Sequence, residues 1–145
     1  MSQELLLTDW SKSSGTGTFE KSPNGELILS GNLVWIYTDY IALPTGTGYT
    51  YLYDFDISIT ANNQVYIQVE RFDANKGTIS NNAATNIVSG FKPTDDISHK
   101  IYKGSIDIGT FNNGTTTAFI RVRMCSGYNS TTGTHIIHNW SLRAV

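Results

Sequence analysis

Aromatic and aliphatic side chains recur at every second position from Tyr49 through Tyr51, Tyr53, Phe55 and Ile57 to Ile59. Thr50, Asp54, Asp56, Ser58 and Thr60 fall between them, with Leu52 as the exception. A period of two puts alternate side chains on opposite faces of an extended chain, so this run reads as a strand with one apolar and one polar face. The same period returns three more times. Val65, Ile67 and Val69 alternate with Tyr66, Gln68 and Glu70. Ala118, Ile120, Val122 and Met124 alternate with Phe119, Arg121 and Arg123, and Val34 and Ile36 alternate with Trp35 and Tyr37. Strands with one apolar face need a second layer to cover it, which constrains the chain to sheet packed on sheet.

Shorter signals fill in the rest. Pro23-Asn24-Gly25 marks a turn, so Thr18 to Lys21 and Glu26 to Ser30 read as a hairpin. Leu5-Leu6-Leu7 reads as a short first strand, followed by Trp10 as an apolar anchor and by a loop from Ser11 to Gly17. Val34 to Ala42 and Ser98 to Ile108 read as strands. Thr78 to Pro93 reads as a loop with a short strand, and Asn112-Asn113-Gly114 as a turn. In the closing strand, His135 to Arg143, a strict alternation groups Ile136, His138, Trp140 and Leu142 on one face. That makes His138 a core histidine and places His135 opposite it. Trp10 and Trp140 read as core. With about eight or nine short strands and no amphipathic helix, the expected fold is all-β, an antiparallel β-sandwich or jelly roll, in one domain over residues 1–145.

Composition narrows the function. Charged residues are only 15% of the chain and the net charge is -2, so there is no basic stripe for nucleic acid. No apolar run approaches the roughly 20 residues that cross a bilayer, and no charged-then-apolar leader opens the chain, so membrane insertion is not expected. The single cysteine, Cys125, allows no intrachain disulfide, and the fold must stand on its core. Asn113, Asn129 and Asn139 begin N-x-S/T tripeptides, which chance supplies in a chain rich in Asn, Ser and Thr.

Four segments carry a family likeness: Tyr49-Thr50-Tyr51-Leu52-Tyr53-Asp54-Phe55-Asp56-Ile57, the run from Val65 to Asn75, Ala118-Phe119-Ile120-Arg121-Val122-Arg123, and Ile137-His138-Asn139-Trp140-Ser141-Leu142. In this order and spacing they resemble the carbohydrate-binding modules of the galactose-binding-like jelly-roll group, of the family 4 and 9 type. Such modules are similar to sugar-binding insertions in baseplate and distal tail proteins of phages that infect Gram-positive bacteria. The resemblance implies a noncatalytic module that recognises a bacterial cell-surface or cell-wall polysaccharide within a larger multimeric host-recognition assembly of the virion tail. An accessory module of a secreted, extracellular glycoside hydrolase is one alternative. A structural tail or decoration domain without a sugar ligand is another.

Sugars are neutral and rich in hydroxyls. Proteins hold them with planar amide, carboxylate and guanidinium groups, and with aromatic rings against their C–H faces. Arg121 and Arg123 offer forked donors, Gln68 and Glu70 offer acceptors, and Trp35 and Tyr37 offer a platform. Tyr128, on a Gly/Asn/Ser/Thr loop, is a candidate rim contact. In the modules resembled here the concave sheet carries such a set. Other readings fit the same residues. Arg121 and Glu70 can form a structural ion pair across neighbouring strands, Trp35 can belong to a second small core, and Tyr128 can be an ordinary loop residue. Binding of this kind requires no cofactor. The resemblance also admits one structural calcium ion near the chain ends, with Glu20, Asn24 and carbonyls around Ser141 as oxygen ligands, although nothing here has the spacing of a dedicated calcium loop.

Enzyme chemistry is not expected. Asp54 and Asp56 lie on one face of one strand, whereas glycosidase carboxylates flank a cleft. His135 and His138 are three apart, so a strand holds them on opposite faces and they share no metal. No nucleophile elbow, zinc-binding helix or phosphate loop motif is present. Cys125 lacks a placed base and reads as inert.

Overall fold

Two antiparallel sheets of six strands each face one another across a single hydrophobic core in the computed structural model, which describes residues 2–45, 48–78, 84–109 and 116–145. The first sheet runs β10 (Ile97–Ile106), β7 (Tyr51–Ile59), β12 (Gly133–Ala144), β4 (Leu27–Gly31), β3 (Thr18–Lys21), with β1 (Gln3–Glu4) also on β12. The second runs β2 (Trp10–Gly15), β5 (Val34–Thr38), β11 (Phe119–Ser126), β8 (Val65–Phe72), β9 (Thr85–Phe91), with β6 (Ile41–Ala42) also on β11. This is a jelly-roll β-sandwich. The expected turn at Asn112-Asn113-Gly114 lies outside the described residues.

The alternating runs meet as their pattern demands. Phe55, Ile57 and Ile59 of β7 pack with Leu27, Leu29, Ile137 and Leu142 from the first sheet, and against Val34, Ile36, Ile67, Val69, Ile120, Val122 and Met124 from the second. Trp10 is buried, and its ring meets the half-buried Trp140 edge-on at 6.4 Å, so both tryptophans contribute to the interior as expected. The hairpin of β3 and β4 forms in the expected place.

The N-terminal strand differs from its expectation. Gln3–Glu4 pairs with β12, while Leu5 and Leu6 are buried and Leu7 is 80% exposed. The Glu4 carboxylate explains the departure. It accepts from the amides of Leu5 and Leu6 at 3.1 Å each, from the Leu142 amide at 2.9 Å and from the Ser141 hydroxyl, while the Leu5 amide also donates to the Leu142 carbonyl at 2.8 Å, so pairing with β12 reaches Leu5 and goes no further. Ser11 to Gly15, expected as loop, is strand β2, an exposed edge held by pairing with β5.

The closing strand also breaks its simple alternation. The register shifts between Ile137 and Asn139, and this bulge at His138 moves Trp140, Leu142 and Ala144 onto the face already occupied by His135 and Ile137. His135 is therefore the core histidine and His138 lies on the outer face, the reverse of the sequence expectation. The two still occupy opposite faces. Burial lowers the His135 pKa to about 4 despite its hydrogen bond to the Cys125 carbonyl. Since a carbonyl only accepts, the 3.1 Å contact makes Nδ1 the protonated nitrogen. Nε2 is left buried and without a hydrogen-bond partner among the described residues.

Candidate functional site

The outer face of the second sheet gathers the residues that the sequence singled out. Strand β11 runs between β5 and β8, and its register sets Arg121 opposite Glu70, Arg123 opposite both Gln68 and Tyr37, and Cys125 opposite both Trp35 and Tyr66. Residues directly opposite in a ladder share a face. A cationic column thus stands between an aromatic column and an acceptor column.

Each guanidinium is held on two sides. Arg121 Nε donates to Glu70 Oε1 at 3.0 Å, and its Nη2 is also 3.0 Å from that oxygen. Its Cζ lies 4.3 Å from the centre of the Tyr37 ring. Arg123 Nε donates to Gln68 Oε1 at 2.6 Å, Nη1 is 3.7 Å from Glu70 Oε2, and Cζ lies 4.8 Å from the Trp35 ring centre. Gln68 in turn donates from Nε2 to Asn86 Oδ1 at 2.7 Å. A guanidinium has five N–H donors, so these contacts use only part of each fork. The side chains of Arg121, Arg123 and Glu70 remain 26%, 27% and 18% exposed, which leaves them reachable by ligand hydroxyls.

Two aromatic groups close the ends of this lattice. At one end Trp35 stacks against Tyr66 with centroids 6.3 Å apart, and Tyr128 meets Trp35 and Tyr66 edge-on at 6.3 and 4.8 Å. Beneath these rings Cys125 is fully buried, which pushes its thiol up to about 12 and leaves it protonated and inert. At the other end Tyr40 packs edge-on against Phe72 at 4.9 Å, with Arg121 5.4 Å from its ring centre. Tyr40 and Tyr128 are 39% and 37% exposed, whereas Trp35 is engaged by Arg123 and Tyr66. The open rings are thus Tyr40 and Tyr128.

Backbone details place both ends. Strands β5 and β6 divide the expected Val34 to Ala42 strand in two, and the Thr38 hydroxyl fills the gap by accepting from the Val122 amide at 3.0 Å. Tyr40 sits in that interruption, where strict alternation says nothing about its direction. Tyr128 begins a 3-10 turn, Tyr128–Ser130, after Gly127 at φ 70°. A β-carbon on Gly127 would come within 2.7 Å of the Asn32 carbonyl carbon, so only glycine fits. The buried Asn63 anchors this turn, donating to Ser126 Oγ and accepting from the Gly127 amide at 2.8 Å each.

Tyr66, Asn86, Tyr40 and Phe72 belong to the face but were not singled out from sequence. Tyr66 and Phe72 share the parity of Gln68 and Glu70, which was the available signal. Asn86 lies in a segment without clear periodicity.

The candidate calcium ligands do not converge. Glu20 and Asn24 are exposed. By register Glu20 is level with Ile28 and Ile136, roughly 15 Å along β12 from Ser141 at about 3.3 Å per residue. Near Ser141 the carboxylates are Glu4, already bonded to protein donors, and Asp54, opposite Ser141 in the ladder and 3.8 Å from Lys103. Among the described residues no group of three or more His, Cys, Asp or Glu is placed to hold a metal.

The outer face of the first sheet carries a separate polar cluster. His138 bonds Glu26 through Nδ1 and Ser58 Oγ through Nε2 at 2.6 Å, and its ring stacks on that of His99 at 4.0 Å. His99 Nδ1 lies 3.0 Å from Asp56, and its amide donates to Ser58 Oγ at 3.1 Å. The hydroxyl–imidazole–carboxylate order matches that of an activated nucleophile. Here, however, the hydroxyl is tied to two histidines, and the cluster cross-links β7, β10, β12 and the residue preceding β4. Asp54 lies 3.8 Å from Lys103, so both aspartates of β7 have partners on the polar face.

No protein-family model matches the sequence, and no curated protein is matched by it. Solved structures do share the fold. The CBM22-1 xylan-binding domain of Xyn10C from Paenibacillus barcinonensis superposes with a TM-score of 0.59 at 12% identity, over 100% of this chain and 93% of that one. The xylan-binding module CBM15 gives 0.54 at 16% identity, over 99% and 95%. The enzymatically active domain of tailspike protein 4 of bacteriophage CBA120 gives 0.60 at 12% identity, and this chain spans 94% of its own length but 19% of that chain. The jelly-roll sandwich is thus an architecture that these carbohydrate-binding modules also use, and at such identities the likeness is one of fold.

Proposed function

We propose that the chain is a noncatalytic carbohydrate-binding module that recognises a bacterial cell-surface or cell-wall polysaccharide through the outer face of its second sheet. The observation that carries this reading is the ordered column of Arg121 and Arg123 between Trp35 and Tyr37 on one side and Gln68 and Glu70 on the other, with exposed Tyr40 and Tyr128 at its ends. Planar donors and acceptors held by their neighbours suit adjacent hydroxyl pairs, and they lose little side-chain freedom on binding. Rings at the ends suit the apolar faces of sugars. From Arg121 to Cys125 the face extends about 13 Å at roughly 3.3 Å per residue, room for a short chain rather than a single ring. No cofactor takes part.

The likeness to a tailspike domain favours a place in a phage tail or baseplate, on behalf of a larger multimeric assembly in the virion. The likeness to two xylan-binding modules favours the second reading, an extracellular accessory module of a polysaccharide-degrading enzyme. Labelled domain applied to intact Gram-positive cells separates these readings. Decoration that purified wall polysaccharide competes away supports the first. Binding to xylan with no decoration supports the second. Binding to neither, with the fold intact, leaves the arginine lattice a structural feature and sinks the proposal.

A further inference from the structure

A second recess opens where the two sheets part at one end of the sandwich. It is half open to solvent, has a volume of about 890 Å³, and its lining includes Leu43, Tyr49, Tyr51, Asp107, Thr117 and Phe119. Ligand sites of small molecules typically measure roughly 300–1,000 Å³, mostly apolar with a few polar groups. The polar groups here are distinctive. Thr117 is only 4% exposed, and its Oγ1 is buried with no hydrogen-bond partner among the described residues. Its amide is satisfied by the Gly109 carbonyl at 3.0 Å, so the hydroxyl alone is orphaned. Buried hydroxyls in native structures nearly always have a partner, from protein or water, so an orphaned one on a residue lining a recess is a candidate for a bond to a ligand atom. Burial and the neighbouring Tyr49 raise the Tyr51 pKa, so its phenol remains a neutral donor and acceptor.

We propose that this end cleft is a second binding site that takes a terminal sugar ring, with Thr117 Oγ1 and the Asp107 carboxylate bonding its hydroxyls and Tyr49 and Phe119 covering its C–H faces. The choice of ligand class rests on the carbohydrate reading above, while the cleft itself rests on its own geometry. Phe119 links the two sites. It lines the cleft, sits opposite Phe72 in the ladder, and lies two residues from Arg121 on the same face of β11, about 7 Å away. Lys76 Nζ lies 5.2 Å from the Phe119 ring centre and 5.4 Å from that of Tyr40, so a glycan passing from the arginine column to the cleft meets this ammonium beside the ring. The flat face accepts the middle of a chain, and the deeper, half-open cleft accepts its end.

Isotope-labelled domain titrated with glucose, galactose, xylose and N-acetylglucosamine, and separately with xylohexaose and hydrolysed Gram-positive wall polysaccharide, tests the assignment by residue-resolved chemical shifts. At least one monosaccharide should perturb Tyr49, Asp107 and Thr117 while leaving Arg121 and Arg123 unmoved. Thr117→Val should weaken that binding roughly tenfold, the loss of one hydrogen bond, without lowering the melting temperature. Tyr49→Ala, at an exposed position, should weaken it without affecting the fold. Oligosaccharide shifts confined to the arginine face would overturn the cleft site and leave the carbohydrate reading standing. Silence at both sites with every probe would overturn both. Cleft shifts insensitive to both substitutions would overturn the assigned contacts.

Discussion

Arg121 and Glu70 face each other directly across β11 and β8, and the guanidinium that bonds the carboxylate at 3.0 Å also lies 4.3 Å from the Tyr37 ring centre. The pair is partly exposed, so its direct contribution to stability is small, about 1 kcal/mol or less. Its larger effect is positional, because the stacked, bonded fork holds its remaining donors in one place. Arg121→Ala and Glu70→Gln should each shift the urea midpoint only slightly yet reduce glycan binding severalfold in calorimetry. Arg121→Lys should resemble the alanine variant more than the parent, since an ammonium keeps the charge but loses the fork. Unfolding by Arg121→Ala would show instead that the pair holds the sheet.

Trp35 covers a thiol. Removing its ring opens a gap beside Tyr66 and Tyr128 and uncovers Cys125, whose pKa burial raises to about 12. Trp35→Ala should cost less than the roughly 3–5 kcal/mol of a fully buried ring in denaturant unfolding, because Trp35 is only half-buried. It should also let Cys125 react with a disulfide reagent under native conditions, where the parent protein reacts only on unfolding. An unreactive thiol in that variant would mean that other groups bury Cys125.

Asn63 tests whether the Tyr128 turn is held from below. It is fully buried, and both ends of its amide are bonded, to Ser126 and to Gly127. Asn63→Ala strands the Gly127 amide and should destabilise the domain by about 1–3 kcal/mol. Glycan binding should weaken in parallel with Tyr128→Ala, because both changes remove the same rim contact. Full binding by Asn63→Ala would show that the turn holds itself.

His135 makes stability depend on pH in a defined direction. Its folded pKa, about 4, lies below the ordinary histidine value of about 6.5. Between these values the unfolded chain binds a proton that the folded chain refuses, so stability is full above about pH 6.5 and falls as pH drops toward 4, by roughly 3 kcal/mol in total. Urea midpoints measured from about pH 7 to about pH 5 should decline. His135→Leu should flatten that part of the curve, even if the unpaired Cys125 carbonyl makes the variant less stable throughout. A parent curve that is already flat would rule out the neutral buried imidazole.

The strands that carry the candidate face were legible because alternation is a local property. Tyr66, Gln68 and Glu70 share a side whatever lies across the ladder, and so do Arg121 and Arg123. The failures came where local geometry depends on a distant partner. His138 looked inward until the bulge paired Asn139 with Asp56 and reversed the rest of the strand. Leu5 to Leu7 looked like a strand until the Glu4 carboxylate took the amides of Leu5 and Leu6.

By itself the sequence determined the fold class, the apolar faces of β5, β7, β8 and β11 and the residue types able to grip a hydroxyl-rich ligand, because a period of two and the chemistry of a side chain require no knowledge of neighbours. Only the tertiary structure decided that β5, β11 and β8 lie side by side in a register that puts Arg121 on Glu70 and Arg123 on Gln68. It also decided that Trp35 is engaged by Arg123 and Tyr66, and that Tyr40 and Tyr128 are the more exposed rings. Strand order and register follow from how whole faces pack and where turns and bulges fall, and a one-residue shift would have turned the same side chains to the other side of the sheet.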